Sequence, residues 1–126
     1  MAITQVTVAS PAVETVFQDT SMGGTADGVK SSSTVIYYVQ VDNTLNGAPS
    51  YVKLYNAASG SVTVGTTVPD FVLYAAANKV QTYVFSTAAS SGLTFGTALS
   101  AACTTAGGTS GNTSPSSSVV VTIVYV

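Results

Sequence analysis

The chain has 126 residues and a mass of 12.6 kDa, which fits one domain with a core of its own. Charged residues make up 6 % of it and the net charge is −2, which excludes nucleic-acid binding by phosphate neutralisation and polybasic membrane binding. The absence of His excludes histidine-based catalysis and most metal sites, so we expect no cofactor.

The residue types indicate an all-β protein. Val, Thr and Tyr are frequent, and β-branched and aromatic side chains fit a pleated, half-buried surface. The mean hydropathy is +0.44, yet no apolar run approaches the roughly 18 residues of a membrane-spanning helix. We therefore expect an antiparallel β-sandwich in which partner subunits cover part of the uncharged surface.

The first 32 residues are predicted to stand apart from a sandwich domain at 33–126. Residues 1–19 are too apolar for a disordered tail, and the segment TSMGGTADGVKSSS at 20–33 has the composition of a flexible linker. Two interpretations of 1–19 stay open: a first strand of the sandwich, or an arm that docks on a neighbouring subunit. The docking residues of such an arm are Ile3, Val6, Val8, Val16 and Phe17.

Alternating polar and apolar residues predict strands along the rest of the chain. They lie at 34–42, 50–56, 61–64, 71–77, 80–85, in two pieces within 92–105, and at 118–126. Asn78 and Lys79 predict a tight hairpin turn. The last strand is apolar on both faces, which is typical of a central or doubly covered strand.

Catalytic patterns are nearly absent. Ser50 and Lys53 match an S-x-x-K pattern, but residues with this spacing point to opposite faces of a strand. Cys103 has no His to activate it and is predicted to be a small buried residue. Asp42 and Asp70 flank turns, where Asp is common for backbone reasons. We therefore predict a protein that is not an enzyme and has no catalytic, cofactor-binding or metal residues.

Tyrosines are the most informative polar residues, and there are seven. Tyr51 and Tyr55 lie on the same face of a predicted strand. Exposed tyrosines give a large contact area at a low entropy cost, so we name these two as interface candidates. Ordinary cross-strand packing is the alternative interpretation.

Four segments of the chain resemble small virion structural proteins of tailed bacteriophages, including cyanophages. The segments are SYVKLYN at 50–56, VTVGTTVP at 62–69, GLTFGTALSAACTT at 92–105 and VVVTIVYV at 119–126. The resemblance implies a β-sandwich, with the jelly roll as one form, that assembles as a homotrimer or another homo-oligomer. It offers no catalytic motif.

The function implied by this resemblance is that of a capsid cement or decoration protein. Such a protein binds the major capsid protein on the outer surface of a virion assembled in the host cytoplasm, with no nucleic acid or membrane as partner. The alternative is a tail-fibre or baseplate module that binds a host-surface glycan. That module needs aromatic residues and Asn or Asp gathered on loops, whereas the tyrosines here lie mostly within predicted strands.

Overall fold

The computed structural model describes residues 14–86 and 92–126, and its strands form two packed antiparallel sheets. Sheet A contains, in spatial order, β1 (Thr15–Asp19), β9 (Val120–Tyr125), β3 (Thr34–Asp42) and β6 (Val80–Val84), and β7 (Leu93–Phe95) also pairs with β3. Sheet B contains β2 (Asp27–Lys30), β8 (Leu99–Thr104), β4 (Ser50–Tyr55) and β5 (Phe71–Ala75). A 3-10 turn at Ser59–Ser61 is the one helical element of the described residues. The predicted all-β sandwich is confirmed.

The strand pairs are nested along the chain in the manner of a jelly roll. β4 pairs with β5, β3 with β6, β2 with β8 and β1 with β9, all antiparallel. Rolling up a long hairpin produces this nesting, and the pairs β3–β9 and β4–β8 then complete the two sheets. The last strand lies between β1 and β3, which confirms its predicted central position.

The core lies between the sheets and is built from alternate residues of their strands. Its buried members include Val52 and Leu54 of β4 and Val121 and Ile123 of β9. In β3 the register shifts between residues 36 and 38. This irregularity places Ile36 in the core where simple alternation would place Val35.

The prediction that residues 20–33 form a linker outside the domain is wrong. β1 and β2 are strands of the two sheets, and Met22 between them is buried in the core. A Cβ added at Gly24 would lie 2.3 Å from the Asn112 carbonyl oxygen, so this glycine permits a close backbone approach and does not mark flexibility. The first-strand interpretation holds for residues 15–19, and residues 1–13 lie outside the described residues.

Two further strand predictions are corrected. Residues 61–64 form a turn region after the 3-10 turn and make no strand. The turn at Asn78 exists, with a φ of 57°. However, it joins β5 of sheet B to β6 of sheet A and therefore links the two layers instead of closing a hairpin.

Asn43 connects several chain segments at one end of the sandwich. Its side chain is fully buried, and Nδ2 donates to the carbonyls of Ala48 at 3.0 Å and Ala76 at 3.1 Å. Its Oδ1 accepts hydrogen bonds from Asn46 Nδ2 at 3.0 Å and from Ser50 Oγ at 2.8 Å. The amide thus uses both its donor and its acceptor, which is the condition for burying such a group.

Replacing Asn43 with Ala should lower the free energy of unfolding by about 3 kcal/mol, because several buried polar partners lose their hydrogen bonds at once. Chemical denaturation measures this change. Asn112→Ala, at an exposed loop position, is the control and should change stability by less than about 0.5 kcal/mol. Equal effects of the two substitutions would contradict the role assigned to the buried amide.

Asp19 of β1 and Asp27 of β2 bring two carboxyl groups together at the edge of the sandwich. Desolvation, together with the hydrogen bond and the negative charge of Asp19, raises the pKa of Asp27 to about 6. An unfolded Asp titrates near 3.8, so the folded state binds more protons between these two values. Stability from this group is therefore present at low pH and is lost as the pH rises through about 6.

Asp27→Asn should raise the stability above pH 6 and leave it nearly unchanged below pH 4. An amide donates to the Asp19 carboxylate without adding a second charge. Because the site is partly exposed, we expect a gain on the order of 1 kcal/mol, or a rise in Tm of about 4 °C, at pH 7.5. Thermal melts of both proteins across this pH range measure it, and a difference that is independent of pH would contradict the interpretation.

Candidate interaction surfaces

The middle of the outer face of sheet B is covered by the loop 105–119 between β8 and β9. Lys53 lies at the middle of this face and is fully buried. Its Nζ donates to the carbonyls of Gly108 and Gly111, both at 2.6 Å, in the loop 105–119 between β8 and β9. Burial lowers the pKa of the Lys53 amine. Hydrogen bonds from an ammonium are stronger than neutral ones, so this side chain holds the loop against the sheet.

The two tyrosines named as interface candidates lie on the same face of sheet B as Lys53. Tyr55 is 1 % exposed, so its prediction as an interface residue is wrong. Tyr51 is half-buried, and a Cβ at Gly107 would lie 2.8 Å from its ring. Its ring also meets Tyr74 edge to face, with centroids 5.5 Å apart. These contacts of Tyr51 match the alternative of ordinary packing, because its ring meets Gly107 of the loop 105–119 and the ring of Tyr74.

Replacing Lys53 with Met should release the loop 105–119. The Met side chain fills similar space but leaves two carbonyls without their donor, and we expect a loss of about 2 kcal/mol in unfolding free energy. The loop contains no Lys or Arg, so its opening is measured as faster cleavage by a protease of broad specificity.

Tyr55→Phe is the control on the same face. Its hydroxyl is buried without a hydrogen-bond partner in the described part of the chain, so its removal should leave stability unchanged or raise it by up to about 1 kcal/mol. Unchanged cleavage of the loop in the Lys53 variant would contradict the role of the ammonium.

The outer face of sheet A is open in the described part of the chain, and we call it the open face. Three of its valines, Val16, Val80 and Val84, are 63 %, 48 % and 60 % exposed. The strand registers arrange the face in rows across β1, β9, β3 and β6. One row is apolar and contains Val16, Val124, Tyr38 and Val84. The next is polar and contains Gln18, Thr122, Gln40 and Thr82.

The open face carries almost no charge. Asp42, in a third row with Val120 and Val80 at the margin, is the one Asp, Glu, Lys or Arg in the paired rows of this face. Its carboxylate accepts hydrogen bonds from the Thr44 N–H at 3.0 Å and the Thr44 hydroxyl at 2.6 Å, and these bonds lower its pKa. Within the polar row, Gln18 Nε2 donates to Thr122 Oγ1 at 3.1 Å. The face therefore carries one carboxylate, at its margin, and its polar row consists of amide and hydroxyl groups.

The predicted docking residues fall into three groups. Val16 is exposed on the open face, where it belongs to β1 of the sandwich and not to a separate arm. Phe17 points to the other side of β1 and packs against the core, so its prediction as a surface contact is wrong. Ile3, Val6 and Val8 lie outside the described residues.

The residues considered for catalysis have structural partners. Ser50 Oγ donates to Asn43 on the inner side of β4, whereas Lys53 points outward, as the alternation predicts. Cys103 is fully buried, and burial raises its pKa to about 12. Asp70 accepts a hydrogen bond from the Asn56 N–H at 2.6 Å. In residues 14–86 and 92–126, no three His, Cys, Asp or Glu side chains group together as metal ligands.

Sequence reasoning missed the covering of sheet B and the burial of Lys53. A lysine between tyrosines in an otherwise apolar strand was a signal for the burial of Lys53, because such a side chain needs either solvent or carbonyl partners.

Among the described residues, no helix has the length and apolar character needed to span a membrane. Comparisons of the chain with protein-family models, curated proteins and solved structures found no match.

Proposed function

We propose that the protein is a non-enzymatic virion component, a capsid cement or decoration protein that bridges subunits of the major capsid protein on a phage head. The observation that carries this proposal is the open face, a four-stranded surface with almost no charge. Depletion of charge is the compositional mark of the centre of protein interfaces. The resemblance of the sequence to phage structural proteins supports the same role.

The size of the open face favours binding in many copies. Four strands at a spacing of about 4.8 Å, with about five residues each, give a projected area of roughly 300 Å². This is small beside the roughly 800 Å² that each partner contributes to a standard stable interface. A single contact of this kind is weak, whereas copies that associate with one another on a shell bind by avidity. A homotrimer or another homo-oligomer is accordingly part of the proposal.

The jelly-roll topology is compatible with this role by analogy of fold. Jelly rolls occur in viral capsid domains and also in lectins, so the fold alone does not select between a cement protein and a glycan-binding tail module. The positions of the aromatic residues favour the cement protein. Phe71 and Tyr74, which are 38 % and 45 % exposed, lie within β5 and not on a loop.

Gln40→Glu tests the role of the open face. The change is nearly isosteric and places a carboxylate in the middle of the polar row, where burial against a partner would carry a desolvation cost. We expect binding to particles that lack the protein to weaken at least tenfold. Asn112→Asp makes the same amide-to-acid change on an exposed loop and should bind as the unmodified protein does. Equal binding of all three proteins would overturn the assignment of this face.

The number of copies per particle separates the two candidate functions. Quantitative mass spectrometry of purified virions of the phage that encodes the chain measures it. Hundreds of copies support a cement protein of the shell. Tens or fewer support the tail module, and absence from the particle would exclude both.

A further inference from the structure

β6 is an edge strand, and no feature of the described residues protects its outward side. In the described part of the chain it pairs with β3 alone. Its sequence VQTYV contains no charge and no Pro, and its register with β3 shows no shift. Natural edge strands usually carry such features because a bare edge pairs with other chains.

The edge strands β1 and β2, on the opposite side of the sandwich, differ from β6. β2 has a register shift between Gly28 and Lys30, and it ends with the charge of Lys30. β1 ends at Asp19, next to the carboxyl of Asp27. β5 and β7, on the same side as β6, are also uncharged, but β7 has only three residues. The bare edge is thus specific to one side of the sandwich.

The hydrogen bonds of the β3–β6 ladder show which backbone groups of β6 face outward. In antiparallel pairs, opposite residues either exchange both backbone hydrogen bonds or none, in alternation. The Asn43 N–H donates to the Lys79 carbonyl at 2.9 Å, and the Phe85 N–H donates to the Tyr37 carbonyl at 2.9 Å. Lys79 and Phe85 therefore belong to hydrogen-bonded pairs, and so do the odd-numbered residues of β6 between them, whose backbone N–H and C=O groups bond to β3. The backbone groups of the even-numbered residues therefore point away from β3.

These even-numbered residues are Val80, Thr82 and Val84, and all three are exposed. Their order is symmetrical about Thr82. When β6 pairs antiparallel with a second β6 centred on Thr82, Thr82 lies opposite its own copy and Val80 lies opposite Val84 of the second copy. Thr–Thr and β-branched pairs at directly opposite positions stabilise sheets. In this register every outward N–H and C=O of the three residues finds a partner.

We propose that β6 is a self-association site, at which a second copy of this chain adds its own β6 to sheet A across a two-fold axis. The contact is isologous, so it closes as a dimer and leaves no further β6 edge exposed. The two-fold axis is perpendicular to sheet A. The two copies of sheet A therefore join edge to edge in one layer, and the two copies of sheet B lie together in the other layer. The nearest charge, Lys79, falls at opposite ends of the paired strands in the two copies, where the two ammonium groups are well separated.

The neighbouring edge of sheet B is compatible with this contact. β5 lies beside β6, since the Tyr83 hydroxyl donates to the Tyr74 carbonyl and the rings of Phe71 and Phe85 meet edge to face at 5.8 Å. The same two-fold axis brings the β5 edges of the two copies toward each other, and β5 itself is uncharged. The proposal does not depend on the capsid role. It favours a dimer over the trimer that the resemblance implies.

Sedimentation velocity from about 1 to 500 µM tests the pairing with the full chain. We expect a concentration-dependent change from the mass of one chain, 12.6 kDa, to twice that mass. Thr82→Lys places two ammonium groups opposite each other and should raise the dissociation constant at least tenfold. Gln18→Lys adds the same charge to the opposite edge strand and should leave the dissociation constant within about twofold.

A second variant and a second measurement guard against a folding defect. Thr82→Pro removes an N–H that points away from β3, so it should keep the fold, as circular dichroism can verify, and abolish the dimer. In the unmodified protein, amide exchange at Val80, Thr82 and Val84 should slow as the dimer forms. A monomer at all concentrations, a trimer, or a dimer unaffected by either Thr82 variant would overturn the proposal.

Discussion

The hydrogen bonds of the Lys53 ammonium decide which outer face of the sandwich is covered. A buried cation without polar partners is very costly, and the two carbonyls at Gly108 and Gly111 meet this need without a carboxylate. The loop that carries them therefore has to lie over sheet B. Because this loop is long and polar, it supplies the hydrophilic surface that the strands themselves lack. Sheet A receives no comparable cover from the described residues, and its outer face becomes the open face.

A second buried polar group acts in the same way at the end of the sandwich. Asn43 binds the carbonyls of Ala48 and Ala76, and Asn46 donates to the Ser117 carbonyl at 3.0 Å. These contacts tie the β3–β4 connection to the end of β5 and to the chain just before β9. In a chain with so few charges, backbone carbonyls take the place of ion pairs as partners of buried donors. This arrangement fixes the loops without adding charge to the surface.

Sequence alternation predicted the fold where a strand has one apolar face, and it failed where the environment of a residue depends on distant segments. Residues 34–42 and 50–55 are strands as expected. The glycine-rich stretch 20–26 has the composition of a linker, but position 24 requires glycine because the Asn112 carbonyl leaves no space for a Cβ atom. Lys53 points away from the core as expected, yet the carbonyls of Gly108 and Gly111, far along the chain, bind it where it is fully buried. The open face could be predicted only after the strand order was known, since its rows join residues from four separate segments.

The open face and the β6 edge are connected by geometry. Val80, Thr82 and Val84 belong to both, because their side chains lie on the open face while their backbone groups point along the sheet. Pairing of two β6 strands would therefore join two open faces into one continuous surface of twice the width, roughly 600 Å² in projection. The polar rows would meet through Thr82, and each apolar row would continue into the row of the other copy that contains Val80 and, on β3, Asp42. A surface of that size approaches what one partner contributes to a standard interface, so self-association and binding to a larger partner would reinforce each other.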